Sequence, residues 1–202
     1  YPLTLMRQTS VNEAVRMDFA NGIRSMMRQD PDIILVGEIR DHDTAEMAFR
    51  AAMTGHQVFS TLHTNSALGA FPRLLDIGIQ PDIMAGNIIG VIAQRLVRTL
   101  CTHCKEAYVP TQEERKILGK DAAGTEQIFR PVGCARCNNK GYKGRSSVME
   151  LLVMDEDLDE LVARRGTAKE LRAAAFANNF RPLAQEGVAR VLDGTTSLAE
   201  IA

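Results

Sequence analysis

No stretch of this chain is apolar for long enough to cross a bilayer, since no run of about 18 apolar residues occurs in it. No signal-peptide pattern is present either. An excess of charge is also missing: 24 Lys and Arg stand against 25 Asp and Glu, for a net charge of −1. Nothing in that balance recruits nucleic acid or an anionic membrane, so neither nucleic-acid binding nor direct membrane insertion is expected. Gly-x-x-x-x-Gly-Lys-Ser/Thr occurs nowhere. That loop is the backbone N–H cradle for nucleotide phosphates, and without it these residues alone cannot grip the β- and γ-phosphates. Cysteine is scarce, at 4 residues, and arrives as two Cys-x-x-Cys pairs. This usage favours a metal site in a reducing compartment over secreted disulfides, and the chain reads as cytoplasmic.

What is present is an ordinary globular composition, 45% hydrophobic and 24% charged over 202 residues. That length suffices for one large or two small domains. The chain opens on Tyr1 rather than Met, in an extended segment reaching Thr9, as expected of a piece of a longer protein.

The segment from Arg28 to Asp41 organises the rest. Pro31 stops the preceding helix. Ile33 to Val36 is a short β-branched and aliphatic run, which predicts a central parallel strand covered on both faces. Gly37 and Glu38 follow at its carboxyl end, the edge where ligands sit in open α/β sheets. A carboxylate there can orient water or a magnesium shell against a phosphate. Arg40 adds planar donors suited to phosphate oxygens. A core strand followed by a salt-bridged surface loop is the plainer alternative.

Upstream, Val11 to Gln29 reads as a helix that brings Arg24 and Arg28 to one face, four residues apart. They are either solvated charges or phosphate or interface contacts. Downstream, Asp43 and Glu46 form a capping-box pattern opening a helix with Ala45, Ala48, Phe49 and Ala52 inward and Gly55 at its end. Val58 to Leu62 is the next strand. Asn65 or Ser66 caps a helix carrying Leu68, Phe71, Pro72 and Leu75, which Gly78 ends. This alternation predicts a parallel α/β sheet. His56 and His63 bracket the second strand, more than about 20 Å apart at roughly 3.3 Å per residue, so they cannot share one ion. His63 is the one at the edge that holds Glu38. Pro81 opens a short helix, and Ile88 to Leu100 leads into a strand interrupted by Gln94 and Arg95.

Cys101-Thr-His-Cys104 and Cys134-Ala-Arg-Cys137 each present two thiolates from a tight turn, a closed Cys₄ set of the kind zinc prefers. Redox Cys-x-x-Cys chemistry is the weaker rival, because two such pairs occur in one chain. The spacer holds a small helix, Thr111 to Leu118, and a strand, Gln127 to Pro131. Ser146 to Val153 forms a further strand. From Asp155 the chain is helical, with caps at Asp155, at Thr167 with Glu170, and at Pro182, and is expected to form a helical bundle.

Asp30 to Asp41 resembles the Walker B region of the ATPases of type II secretion and type IV pilus assembly. Thr54-Gly-His-Gln-Val-Phe-Ser-Thr-Leu-His63-Thr-Asn-Ser-Ala is similar to that family's His box. Ala93-Gln-Arg-Leu-Val-Arg-Thr-Leu-Cys101 and the four cysteines follow in the family's order. Phe180-Arg-Pro-Leu departs from the Met-x-Thr-Leu the family implies. The resemblance implies a partial RecA-like P-loop NTPase sheet with an inserted zinc module and a C-terminal helical bundle. The implied division is 1–100 for the ATPase core, 101–145 for the metal module and 146–202 for the closing strand and helices. It also implies that the P-loop lies upstream in a longer protein. That protein would use ATP and Mg²⁺, form a hexameric ring and push on inner-membrane platform proteins. Glu38 and His63 become the catalytic candidates, with Arg24, Arg28, Arg40, His56, Gln94 and Arg95 as nucleotide or interface candidates. Cys101, Cys104, Cys134 and Cys137 are the zinc ligands. A zinc-stabilised adaptor with no ATPase function is the competing expectation.

Overall fold

The computed structural model describes Thr4 and residues 6–201. In chain order its elements are α1 (Phe19–Met26), β1 (Ile33–Val36), α2 (His42–Met53), β2 (Gln57–Ser60), α3 (Ala70–Ile77), α4 (Pro81–Met84), β3 (Gly90–Leu100), β4 (Glu106–Tyr108), α5 (Gln112–Leu118), β5 (Ile128–Arg130), β6 (Tyr142–Val153), α6 (Glu156–Ala163), α7 (Ala168–Ala177) and α8 (Leu183–Leu192). They fall into two compact units. The first takes residues up to Ile89 together with Met154–Ala174; the second takes Gly90–Val153 and the residues from Ala175 on.

In the first unit β1 and β2 pair in parallel, with Ile34 opposite Val58 and Val36 opposite Ser60. Helix α1 packs on β1 and α2 on β2. Ile23, Ile34, Val36, Ala45, Ala48 and Ala51 are buried between them. The parallel α/β arrangement is the one expected, but β1 is not covered on both faces. Ile33 and Leu35 are 63% and 60% exposed. The apolar run supplied two apolar faces, and the described helices cover one.

Local chemistry also moved two helix starts. Val11 to Asp18 is not helical beyond a single 3-10 turn at Glu13–Val15. Asp18 takes extended angles and accepts the Asn21 N–H at 2.7 Å, so α1 begins at Phe19. The same helix ends at Met26, and Arg28 lies in the following turn rather than on one helical face with Arg24. Helix α2 is capped by Asp41, which accepts the Thr44 N–H at 2.8 Å, and not by Asp43. Asp43 instead lies in the first turn, where the helix dipole favours its charge. Glu46, freed from a capping box, pairs with Arg50 one turn on at 2.7 Å. Gly78 ends α3 in the left-handed region, as its position predicted.

In the second unit β3 and β6 form a long antiparallel ribbon from Gly90↔Val153 to Leu100↔Tyr142. β4 and β5 form a smaller antiparallel pair. Helix α8 packs on β6, and Val188 and Val191 join Leu118, Ile128 and Leu198 in one apolar cluster. The capping box of α5 forms as predicted, from Thr111 and Glu114.

The helices after β6 are divided between the two units. Within the first unit α6 packs on α4, and within the second α8 packs on β6. Each has an amphipathic face, Leu158 and Val162 on α6 and Val188 and Val191 on α8, but the partners of those faces differ. Asp155 does cap α6, accepting the Leu158 N–H, and Thr167 and Glu170 exchange both capping bonds before α7.

Candidate functional site

The parallel pairing of β1 and β2 puts both carboxyl ends on one edge. Glu38 leaves the end of β1 and His63 follows the end of β2. His63 Nε2 stands 3.1 Å from Glu38 Oε2, and Arg40 Nε stands 2.6 Å from the same oxygen. Both contacts fall on Oε2, and no described residue bonds Oε1. Arg40, then His63, hold the Glu38 carboxyl below its usual range, against a smaller upward push from burial. The group is a carboxylate at neutral pH. Its side chain is 22% exposed, against 77% for His63. Such an arrangement can orient a water or take a hard cation, while the arginine offers charge to an anion nearby.

His56 is placed at the other end of β2. Its Nδ1 lies 3.0 Å from the Ala51 carbonyl and 3.1 Å from Thr54 Oγ1. It lines an open groove of about 810 Å³ with Arg28, Asp30, Asp32, Thr54 and Gln57, at the amino ends of the strands. Arg24 bonds Asn21 Oδ1 at 2.7 Å on its own helix and reaches Met47 Sδ on α2. Gln94 and Arg95 stand exposed on β3 in the second unit. Of the phosphate and interface candidates, Arg40 alone joins Glu38 and His63.

The four cysteines meet as their spacing predicted. Cys101, Cys104, Cys134 and Cys137 place their sulfurs within 4.8 Å of one another. Cys101–Cys134 is 4.0 Å, and Cys104–Cys137 and Cys134–Cys137 are each 3.8 Å. A tetrahedral ion with metal–sulfur bonds of about 2.3 Å has sulfur–sulfur edges of about 3.8 Å, so the donor set fits a metal of that kind. Backbone N–H groups point at the sulfurs: Gly133 to Cys104 at 3.3 Å, and Cys134 and Gly141 to Cys137 at 3.2 and 3.3 Å. Burial pushes the Cys137 thiol up, but the Cys134 and Gly141 N–H groups together with the Cys104 and Cys134 sulfurs lower it to about 6. Burial raises Cys104 to about 11, partly opposed by Gly133. These N–H donors are part of the site and could be anticipated only as glycines of a turn. His103 is not a ligand: its ring nitrogens lie 2.8 Å from Arg136, between the two turns.

Lys105, not anticipated from the sequence, ties this module to α8. Its Nζ donates to the Gly194 carbonyl at 2.8 Å and lies 4.3 Å from the Phe129 ring centre. No signal short of the fold predicts that contact.

The chain is 45% identical over 202 residues to the type II secretion system protein E of Aeromonas hydrophila, covering 100% of this chain and 40% of that protein. It is 47% identical over 196 residues to the type IV pilus assembly ATPase TfpB of Acinetobacter baylyi, covering 96% of this chain and 34% of that one. The chain therefore spans less than half the length of these curated relatives. Among solved structures it resembles the pilus retraction motor PilT with bound ADP, at a TM-score of 0.63 and 25% identity, over 91% of this chain and 42% of that one. The family model described as "Type II/IV secretion system protein" matches residues 1–202, and the chain belongs to that family.

Proposed function

We propose that this chain is the carboxyl-terminal part of an ATP-hydrolysing motor that drives type II protein secretion or type IV pilus assembly. The observation that carries the reading is the meeting of Glu38, Arg40 and His63 at the carboxyl edge of β1 and β2, in a chain whose relatives are named secretion and pilus ATPases. Phosphoryl transfer to water asks a protein mainly to place the water and to balance developing charge. Glu38, ionised and held by Arg40 and His63 through one oxygen, orients that water through the other. Arg40 offers charge to the phosphate. His63 shares the Glu38 oxygen, so a change of charge at the phosphate reaches the loop after β2 through it. The Glu38 carboxylate is the hard oxygen donor that would suit a Mg²⁺ bound with the nucleotide, which would supply charge neutralisation.

In this reading the longer protein supplies the P-loop, assembles as a hexameric ring and acts on inner-membrane platform proteins from the cytoplasmic side. The 202 residues alone do not turn over ATP. The cysteine module binds zinc structurally. The test is phosphate release by the longer protein. Glu38→Gln should lower turnover by about 10²-fold or more while nucleotide still binds, as expected for the loss of a group acting in the transition state. Absent turnover in the wild type, or equal turnover in Glu38→Gln, overturns the reading.

A further inference from the structure

Both peptide groups that flank Glu38 are held by a single residue of the neighbouring strand end. Thr61 Oγ1 donates to the Gly37 carbonyl at 2.8 Å. The Ile39 N–H donates to the Thr61 carbonyl at 3.0 Å. The Gly37 carbonyl belongs to the peptide before Glu38, and the Ile39 N–H belongs to the peptide after it. Because peptide groups are planar, fixing one atom of each leaves little freedom in the two dihedrals of Glu38 itself. The bond from Ile39 follows the β1–β2 ladder beyond its last pair, Val36↔Ser60. The bond from the hydroxyl is different, because a side chain supplies it. Its acceptor is the residue with the greatest backbone freedom in the loop, Gly37. A side chain on Gly37 would come within 3.2 Å of the Phe19 ring, so that residue is also packed from the α1 side.

We propose that Thr61 is a positioning residue of the motor: its hydroxyl clamps the Gly37 peptide and so sets the direction of the Glu38 carboxylate toward the reacting water. The inference rests on the functional reading above and adds a residue to it. Thr61 acts through Glu38, with its hydroxyl proton committed to the Gly37 carbonyl. Val keeps the β-branched shape of Thr but replaces the donating hydroxyl with a methyl group, whereas Ser keeps the hydroxyl and loses the methyl group.

The test uses the longer protein and measures kcat and KM for ATP hydrolysis. Thr61→Val should lower kcat about tenfold or more, the scale on which small misplacements of catalytic groups act, with KM little changed. Thr61→Ser should retain the wild-type kcat. Combined with Glu38→Gln, Thr61→Val should cause no further loss, because both changes remove the same contribution. A purely structural threonine would lower the melting temperature and leave kcat per folded molecule untouched. Wild-type kcat in Thr61→Val, loss in Thr61→Ser equal to that in Thr61→Val, or additive losses in the double variant would each overturn the proposal. A wild-type protein without turnover overturns the functional reading first, and takes this inference with it, before any substitution is made.

Discussion

His63 Nε2 and Glu38 Oε2 lie 3.1 Å apart although 25 residues separate them in the chain. The contact exists because β1 and β2 run parallel, so that the residues after each strand leave from the same edge. Arg40 shares the oxygen, and its charge is permanent. Removing the imidazole therefore leaves Glu38 ionised and partly framed. His63→Ala should lower ATP turnover by about tenfold, less than Glu38→Gln does, and should weaken the coupling of hydrolysis to work more than hydrolysis itself. Steady-state phosphate release from the longer protein, with a secretion or piliation assay beside it, checks the order. A His63→Ala loss as deep as that of Glu38→Gln would make the histidine a direct participant.

The metal module gives a second prediction. Sulfur–sulfur distances of 3.8 to 4.0 Å for Cys101–Cys134, Cys104–Cys137 and Cys134–Cys137 match a tetrahedral thiolate site, and zinc is the ion that suits four sulfurs in a closed structural position. Elemental analysis should find about one zinc per chain. Cys137→Ser or a strong chelator should release it and unfold the segment around the cysteines first, because the metal's binding energy is local folding energy. Lys105 follows Cys104 directly and holds the Gly194 carbonyl, so metal loss should also raise hydrogen exchange at the end of α8. Protein that carries no metal and keeps this segment protected would sink the assignment.

How much of this was legible beforehand depended on whether the deciding interaction was local. The β-branched run Ile33 to Val36, the glycine ending α3 and the Thr111–Glu114 box are local, and each formed as the residues suggested. The two Cys-x-x-Cys turns were legible because spacing alone constrains thiolate geometry. Glu38 and His63 could be brought together from sequence only because parallel strands share an edge. Other features turned on competition between neighbours. The apolar residues Ala14, Met17, Phe19, Ile23 and Met26 suggest one helix, but the Asp18 carboxylate captures the Asn21 N–H and sets the start of α1 later. Asp41 outcompeted Asp43 in the same way. Coverage of a strand face was not legible at all, since the alternation of Ile33 and Leu35 with Ile34 and Val36 is apolar throughout. Nor does an amphipathic helix state its partner, which is why α6 and α8 went to different ones.

Acid should weaken the chain in a specific window. Arg98 above all holds the Glu200 carboxyl below its ordinary 4.5, against a smaller opposing push from burial, with Arg98 Nη2 at 2.6 Å. Glu114 and Glu170 are lowered chiefly by the N–H groups of Thr111 and Thr167. In the unfolded chain these groups take up protons near 4.5, and in the folded chain only at lower pH. Between those values the unfolded chain binds more protons, so acidification favours it. The contribution is complete above about pH 4.5 and disappears as pH falls through the folded values. Glu200→Gln should therefore be less stable than wild type at about pH 7, and the difference should shrink as pH falls below about 4.5. Comparing the two proteins cancels any loss of metal in acid, which affects both. A difference that persists unchanged into acid would show that the carboxylate charge is not what the Arg98 contact uses.

Glu150 carries the last prediction. It lies on β6 at 2% exposure, and its Oε2 accepts the N–H of Leu183 at 2.7 Å. Leu183 is the first residue of α8, where the leading N–H groups have no partner within the helix and the dipole favours negative charge. Pro182 immediately before it lacks an N–H and cannot help to anchor the turn from its own backbone. The carboxylate thus fixes where α8 begins and, through Val188 and Val191, how the helix meets the apolar cluster of the second unit. Glu150→Gln keeps an acceptor oxygen in the same place and gives up the charge. Glu150→Leu keeps the bulk and leaves a partly buried donor without this acceptor, at a cost of about 1 kcal/mol or somewhat more. For a chain of this length that corresponds to a fall in melting temperature on the order of 5 °C, with the Gln variant between Leu and wild type. Scanning calorimetry on the three proteins checks the ranking. Leu at or above the wild-type melting temperature would mean that apolar packing at this position outweighs the cap, and the Glu150–Leu183 bond would then lose its place as the anchor of α8.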